Sequence, residues 1–320
     1  MKAFEYVNAQ TPESAAGLIG TEGRYLAGGI DLLGEMKEYI ATPARLVNVK
    51  NLPTTREISK TPEGGFRLGA NVTIAELAAQ ADLPAGLIEA AAEVGSPQIR
   101  AVATVGGNLA QHSRCWYYRQ RDLTCLKRGG STCYARDGEN KYNAIFTGNP
   151  CISPVVSNLA VALTVLSAQA VVWRKSKEVR LTMAELYADA WNNPLAQNSL
   201  QPGDLILAVE IPAPVAGVRS SYLQVSEKSD FDWALVSCAA AGSVNEGKFR
   251  GVKIALGAVA PVPFQMEEAN ALLEGKPCNE ASANAAASLI LATATPFSHN
   301  GYKVPIARAL IRRTLLNLAK

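Results

Sequence analysis

From Gln111 to Pro150 the chain abandons apolar periodicity for forty residues, although the segments on either side are patterned for burial. Apolar burial cannot order such a stretch, and a loop of that length inside a compact domain needs a function or another source of order. Cysteine supplies a candidate. Cys115, Cys125, Cys133 and Cys151 fall within or at the edge of this segment, spaced C-x9-C-x7-C-x17-C. Four thiolates so close in sequence make a ligand set for an iron–sulfur cluster or for zinc. Zinc sites ordinarily pair their ligands as C-x2-4-C, a pairing absent here. Disulfides need an oxidising compartment that no N-terminal signal indicates. Cluster, zinc and unligated thiols stay open on spacing alone. Arg114, Arg119, Arg121, Lys127, Arg128, Arg136 and Lys141, set against Asp122, Asp137 and Glu139, would offset an anionic cluster. His112 reads as an ordinary polar loop residue or as a donor behind such a cluster, and Cys238, inside the apolar run 234–240, as a small buried hydrophobe.

At 320 residues with 48% hydrophobic composition the chain has material for two domains. Pro212 to Gly217 is the boundary the punctuation favours, giving domains at 1–214 and 218–320, with 111–151 as an insertion loop in the first. A net charge of +3, without any run of five like charges, argues against a nucleic-acid partner. The opening Met1-Lys2-Ala3-Phe4-Glu5-Tyr6 lacks the apolar core of a signal peptide. Nor is there an uncharged apolar stretch of about 18 residues, so membrane insertion is not expected. The expected location is cytoplasmic, or periplasmic by co-export with a signal-bearing partner.

Strand and helix signals alternate through the first hundred residues. Strands are expected at 24–27, 45–49 and 66–70, and helices at 32–39 and 85–94. Thr73 with Glu76 three residues on forms a capping box. Further on, 158–163 reads as a buried helix, 171–173 with 179–181 as a hairpin, and 205–211 as a strand. The last third adds strands near 234–241 and 252–259, and helices near 265–274 and 304–318. The pattern is α/β followed by a smaller α+β domain.

Two glycine turns stand out. Leu26-Ala27-Gly28-Gly29-Ile30-Asp31-Leu32 places two glycines between a strand and a helix start, which leaves backbone N–H groups free of flanking side chains and suits a pyrophosphate. Thr104-Val105-Gly106-Gly107-Asn108 is a second such turn, with a hydroxyl and an amide in reach of phosphate or ribose. Neither is the G-x-G-x-x-G fingerprint, and each alone is compatible with a plain tight connection. Only two histidines occur, and no Ser–His–acid or paired-carboxylate constellation is visible. Chemistry here would therefore be borne by cofactors.

Taken in order, these residues resemble the FAD-binding medium subunit of the molybdenum hydroxylases, the xanthine dehydrogenase and carbon monoxide dehydrogenase family. Residues 27–32 resemble its first flavin loop, commonly A-G-G-T-D-L, and Gln98-Ile99-Arg100 with 103–109 resemble its second. Residues 222–237 and 255–263 resemble the start of its C-terminal domain. The resemblance implies an α+β fold: a PCMH/VAO-type FAD-binding domain of two α/β subdomains, then a CO-dehydrogenase-flavoprotein C-terminal domain. It implies FAD held by Leu26 to Leu32, Thr104 to Asn108, Asn158 and Gln224, passing electrons to an external acceptor. The partners implied are a molybdopterin-binding large subunit and a [2Fe-2S] small subunit. The inserted cysteine loop is similar to the branch of aldehyde oxidoreductases whose flavin subunit carries an extra [4Fe-4S] cluster, here on Cys115, Cys125, Cys133 and Cys151. Three positions depart from the family pattern: Ile30 stands for threonine, Asn158 for aspartate and Gln224 for lysine. The rival reading is a zinc-stabilised nucleotide-binding or assembly module without redox turnover.

Overall fold

The computed structural model describes residues 1–228 and 231–320, so Ser229 and Asp230, within the 222–237 stretch, lie outside the described residues. The first sheet is parallel, in the order β1-β3-β2, from β1 (Glu5–Asn8), β2 (Gly23–Leu26) and β3 (Arg45–Asn48). Parallel neighbours cannot be joined by a tight turn, so α1 (Pro12–Ile19) and α2 (Leu32–Lys37) carry the crossovers. Neither β1 nor α1 is evident in the sequence pattern: the strand is short, and the capping box of α1 uses Ser14 where an acidic residue is the usual sign. α2 ends before the expected Tyr39, which takes φ +55° and leaves the helical region.

The second sheet is antiparallel, in the order β4-β5-β8-β6-β7. Its strands are β4 (Ile58–Lys60), β5 (Phe66–Gly69), β6 (Gln169–Arg174), β7 (Lys177–Thr182) and β8 (Leu205–Ile211). Arg174 pairs with Lys177, so the hairpin turns on two residues, Lys175 and Ser176, at φ +50° and +62°. Positive φ at both positions is the turn whose twist matches antiparallel strands. Between β5 and β6 run α3 (Ile74–Ala78), α4 (Ala85–Ala92), α5 (Pro97–Arg100), α6 (Val105–Leu109), α7 (Trp116–Arg119) and α8 (Asn158–Val165). The helix α9 (Met183–Asn192) follows β7.

The third sheet, order β11-β10-β9, is antiparallel and built from β9 (Arg219–Val225), β10 (Val236–Asn245) and β11 (Lys248–Gly257). It is backed by α10 (Glu267–Leu273), α11 (Glu280–Leu291) and α12 (Lys303–Asn317). Every residue of α8 is buried, because the helix packs against α4 on one side and against β10 and β11 on the other. The 111–151 insertion contains only α7 and a short 3-10 turn at 126–128. It returns to the core through Ile145 and Phe146, the latter stacked on Phe264 at 4.0 Å between ring centroids.

Candidate cofactor site

A cleft of about 650 Å³ opens where the first glycine turn, the second turn and the start of α8 meet. That is the size of a site for a substantial small ligand. Of the residues expected there, Leu26 to Leu32, Thr104, Gly106, Gly107, Asn108 and Asn158 line it, whereas Val105 and Gln224 do not. Val105 is fully buried in the main core, with its N–H donating to Val72 O. Gln224 stands one layer back: its Oε1 accepts from Asn158 Nδ2 at 3.1 Å, and its Nε2 donates to the carboxylate of Glu93 at 3.0 Å.

The two turns differ in a way glycine content does not reveal. In the second turn the amides are committed: Gly106 N donates to Ala70 O, Gly107 N to Thr104 Oγ1 and Asn108 N to Thr104 O. The side chains expected to meet a cofactor are committed too, since Thr104 caps α6 and Asn108 Oδ1 accepts from Ser157 Oγ at 2.6 Å. Gly106 is glycine because a Cβ there would come within 2.9 Å of Ala70 Cβ. In the first turn the amides of Gly28, Gly29, Ile30 and Asp31 have no acceptor among the described residues. Gly29 holds φ +74°, and a Cβ on Gly28 would collide with Val102 O, so this loop is pressed against the chain leading into the second. Backbone N–H groups at the wall of a cleft, lacking partners in the protein, suit the phosphates of a dinucleotide.

Asp31 does more than belong to that turn. Its Oδ1 accepts from Arg119 at 2.6 Å and forms an ion pair with Arg114 at 2.9 Å, and its Oδ2 accepts from His112 N at 2.7 Å. One helical turn on, buried Glu35 meets His112 Nδ1 at 3.0 Å, Tyr118 Oη at 2.9 Å and Arg119 at 3.6 Å. Burial alone would raise the Glu35 pKa, but the His112 hydrogen bond, the His112 and Arg119 charges and the Tyr118 hydroxyl together lower it. The network pins the beginning of the insertion to the first glycine turn. Sequence reasoning missed Glu35 and Tyr118, read Arg119 only as a cation offsetting a cluster, and weighed His112 as a loop residue or a donor behind that cluster rather than a partner of Glu35. The one available signal was Glu35 itself, a carboxylate on the helix face that carries Leu32, Met36 and Tyr39.

All four insertion cysteines line one small enclosed cavity, together with Lys127, Asn143 and the rings of Tyr117, Tyr118 and Tyr134. None is in a disulfide. Their sulfurs are ringed by donors: Asn143 Nδ2 reaches Cys115 at 3.5 Å, and backbone N–H groups of Tyr118, Ile152 and Ser153 reach Cys115, Cys133 and Cys151 respectively. A hydrogen bond from Cys151, reinforced by those amides, draws the Cys133 thiol down to about 6 despite its burial. Burial raises the Cys115 thiol. Lys127 is buried beside the cavity, with Nζ donating to Ala196 O at 2.6 Å. Burial lowers its pKa, and thiolate charge on Cys151, Cys125 and Cys115 opposes that shift. Cys238 is fully buried in the third sheet's core, as expected of a small hydrophobe, and Cys278 is half-buried elsewhere.

Residues 2–214 match the family model of the FAD binding domain in molybdopterin dehydrogenase. The chain belongs to that family. Residues 221–318 match the CO dehydrogenase flavoprotein C-terminal domain, so the paired architecture implied by the resemblance is the one found. The chain is 34% identical to the aldehyde oxidoreductase FAD-binding subunit PaoB of Escherichia coli K12, over 98% of each chain. It is 25% identical to the carbon monoxide dehydrogenase medium chain of Hydrogenophaga pseudoflava, over 98% of this chain and 96% of that one. Among solved structures, CO dehydrogenase from Oligotropha carboxidovorans matches with a TM-score of 0.76 at 23% identity, over 98% of this chain and 96% of that one. Quinoline 2-oxidoreductase from Pseudomonas putida 86 matches with a TM-score of 0.74 at 21% identity, over 100% and 98%. Among the described residues no helix is long and apolar enough to cross a membrane. As a member of the FAD-binding family the chain is an oxidoreductase subunit.

Proposed function

We propose that this chain is the electron-transfer flavoprotein of a molybdopterin-dependent oxidoreductase of the aldehyde oxidoreductase and xanthine dehydrogenase type, and that it also holds a [4Fe-4S] cluster. In this reading a molybdopterin-binding large subunit oxidises the substrate, and a [2Fe-2S] small subunit relays electrons to FAD in the cleft. An external acceptor then receives them. Bound FAD supplies the exchange between paired and single electrons; the chain's own part is to hold it. Gly28, Gly29, Ile30 and Asp31 offer amides to the pyrophosphate. Gly106 and Gly107 keep the facing wall low, Asn158 and Gln224 fix the far wall, and Thr104 and Asn108 brace the second turn.

The cluster assignment rests on one observation above others: the four cysteines of the insertion line a single cavity among hydrogen-bond donors, with a buried lysine beside them. Thiolates ringed by amides suit an anionic iron–sulfur centre, whose stability and potential respond to such hydrogen bonds. Zinc is the competing occupant, and an absorption spectrum of the purified complex separates the two. A flavin with a cluster on this subunit predicts bands near ~370 and ~450 nm over a broad sulfur-to-iron shoulder, from cofactor chemistry. The part of that shoulder lost on Cys133→Ser is the signal of this site. An unchanged shoulder with zinc bound in the wild type would reject the cluster.

A further inference from the structure

The cleft has a charge problem that the cysteine insertion resolves. Among the described residues lining it, Arg24 and Arg114 are the arginines and no lysine is present, against five carboxylates that include Asp31 and Glu35. Those two acids lie on and directly behind the first glycine turn, where the unpartnered amides are. Left alone they would repel a pyrophosphate from the loop whose N–H groups are available for it. Both are instead met by arginines from the start of the insertion. Arg119 bridges them, at 2.6 Å from Asp31 and 3.6 Å from Glu35, and it does not line the cleft. Arg114 approaches the same Asp31 oxygen at 2.9 Å, but it does line the cleft. Its Nε is buried with no hydrogen-bond partner among the described residues. Its guanidinium lies over the Trp233 ring, 4.6 Å from the centroid.

We infer that Arg114 is the phosphate-recognising cation of the FAD site, contributed by the cysteine insertion, and that Arg119 is the positioning residue that frees it for this by neutralising Asp31 and Glu35. The inference rests on the flavin reading above. It assigns the insertion a second role, since the loop that gathers the four thiols also supplies the charge the dinucleotide needs. A partly exposed guanidinium at the wall of the cleft, backed by an aromatic ring, is suited to a diphosphate oxygen, where charge-assisted hydrogen bonds are strongest.

The test is equilibrium binding of FAD and of ADP to the flavin-depleted complex, as wild type, Arg114→Gln and Arg114→Lys, with iron content and melting temperature measured alongside. ADP carries the diphosphate without the isoalloxazine. Arg114→Gln is expected to raise the Kd for both ligands by a similar factor, about ten- to a hundredfold for one lost charge-assisted contact. Arg114→Lys is expected to recover most of it, with iron content unchanged in both variants. Unchanged affinity in Arg114→Gln would overturn the assignment. So would a Lys variant as weak as the Gln variant, because the stacking on Trp233 rather than the charge would then be responsible. A wild-type complex that takes up neither ligand would overturn the flavin reading itself, an outcome visible before any variant is made.

Discussion

Lys303, the first residue of α12, is fully buried, and its Nζ donates to Tyr142 O at 3.0 Å and Ala258 O at 2.8 Å. It thereby ties the end of the insertion to the turn after β11. Burial pushes its ammonium down from 10.5 to about 7. At roughly 1.4 kcal/mol per pH unit, that gap corresponds to about 5 kcal/mol of burial penalty. The sign follows from proton counting. Below about pH 7 the amine is charged both folded and unfolded, and the penalty is carried whole. Between about 7 and 10.5 the unfolded chain keeps a proton that the folded chain has shed, so stability rises with pH. Above that range the penalty is gone. Lys303→Met abolishes the titration but strands two carbonyls, at about 1–3 kcal/mol each. Denaturant unfolding of both chains at pH 7.5 and 9.5 reads the difference, and thiol ionisation, common to both, cancels. The wild type should gain about 3 kcal/mol on the Met variant over those two pH units. Parallel pH profiles would show that the amine stays charged when buried, and would refute the reasoning.

Two other substitutions probe the loops. Gly28→Ala places a methyl against Val102 O, so it should cost about 1–3 kcal/mol and lower the flavin-to-protein ratio of the purified complex; unchanged flavin content and melting temperature would contradict that close approach. Glu35→Gln removes the buried carboxylate that meets Arg119, His112 and Tyr118, and should destabilise by about 3–5 kcal/mol at neutral pH. Because the Glu35 pKa is lowered on folding, the wild-type advantage exists above the ordinary 4.5 and fades as the pH falls through the lower folded value. A deficit independent of pH across that range would mean packing, not charge, is lost.

Much of the fold was legible because local signals agreed with it. The β6–β7 hairpin follows from alternation around a two-residue turn, and α3 from its Thr73–Glu76 box. α9 carries the same signature at Thr182 and Glu185, with Met183, Leu186, Tyr187 and Ala190 at helical spacing, yet it was not among the expected helices. α11 is a run of alanines with no clear face; packing against α10 and α12 defines it. The site was legible in part. Both glycine turns line the cleft, but which one has free amides depends on long-range backbone bonds to Ala70 and Val72 that local pattern does not contain. The contacts of Asp31 and Glu35 with His112, Arg114, Tyr118 and Arg119 join residues about eighty positions apart, so local pattern could not show that the arginines meet these two acids. The four cysteines were legible as a set through proximity alone; their shared cavity comes from the fold.

Iron quantification across four single variants, Cys115→Ser, Cys125→Ser, Cys133→Ser and Cys151→Ser, bears most directly on the central claim that a flavin domain here also holds a cluster. Each variant complex should lose about four iron atoms relative to the wild type, while FAD at saturating concentration still binds with unchanged stoichiometry. Full iron content in all four variants would contradict the account.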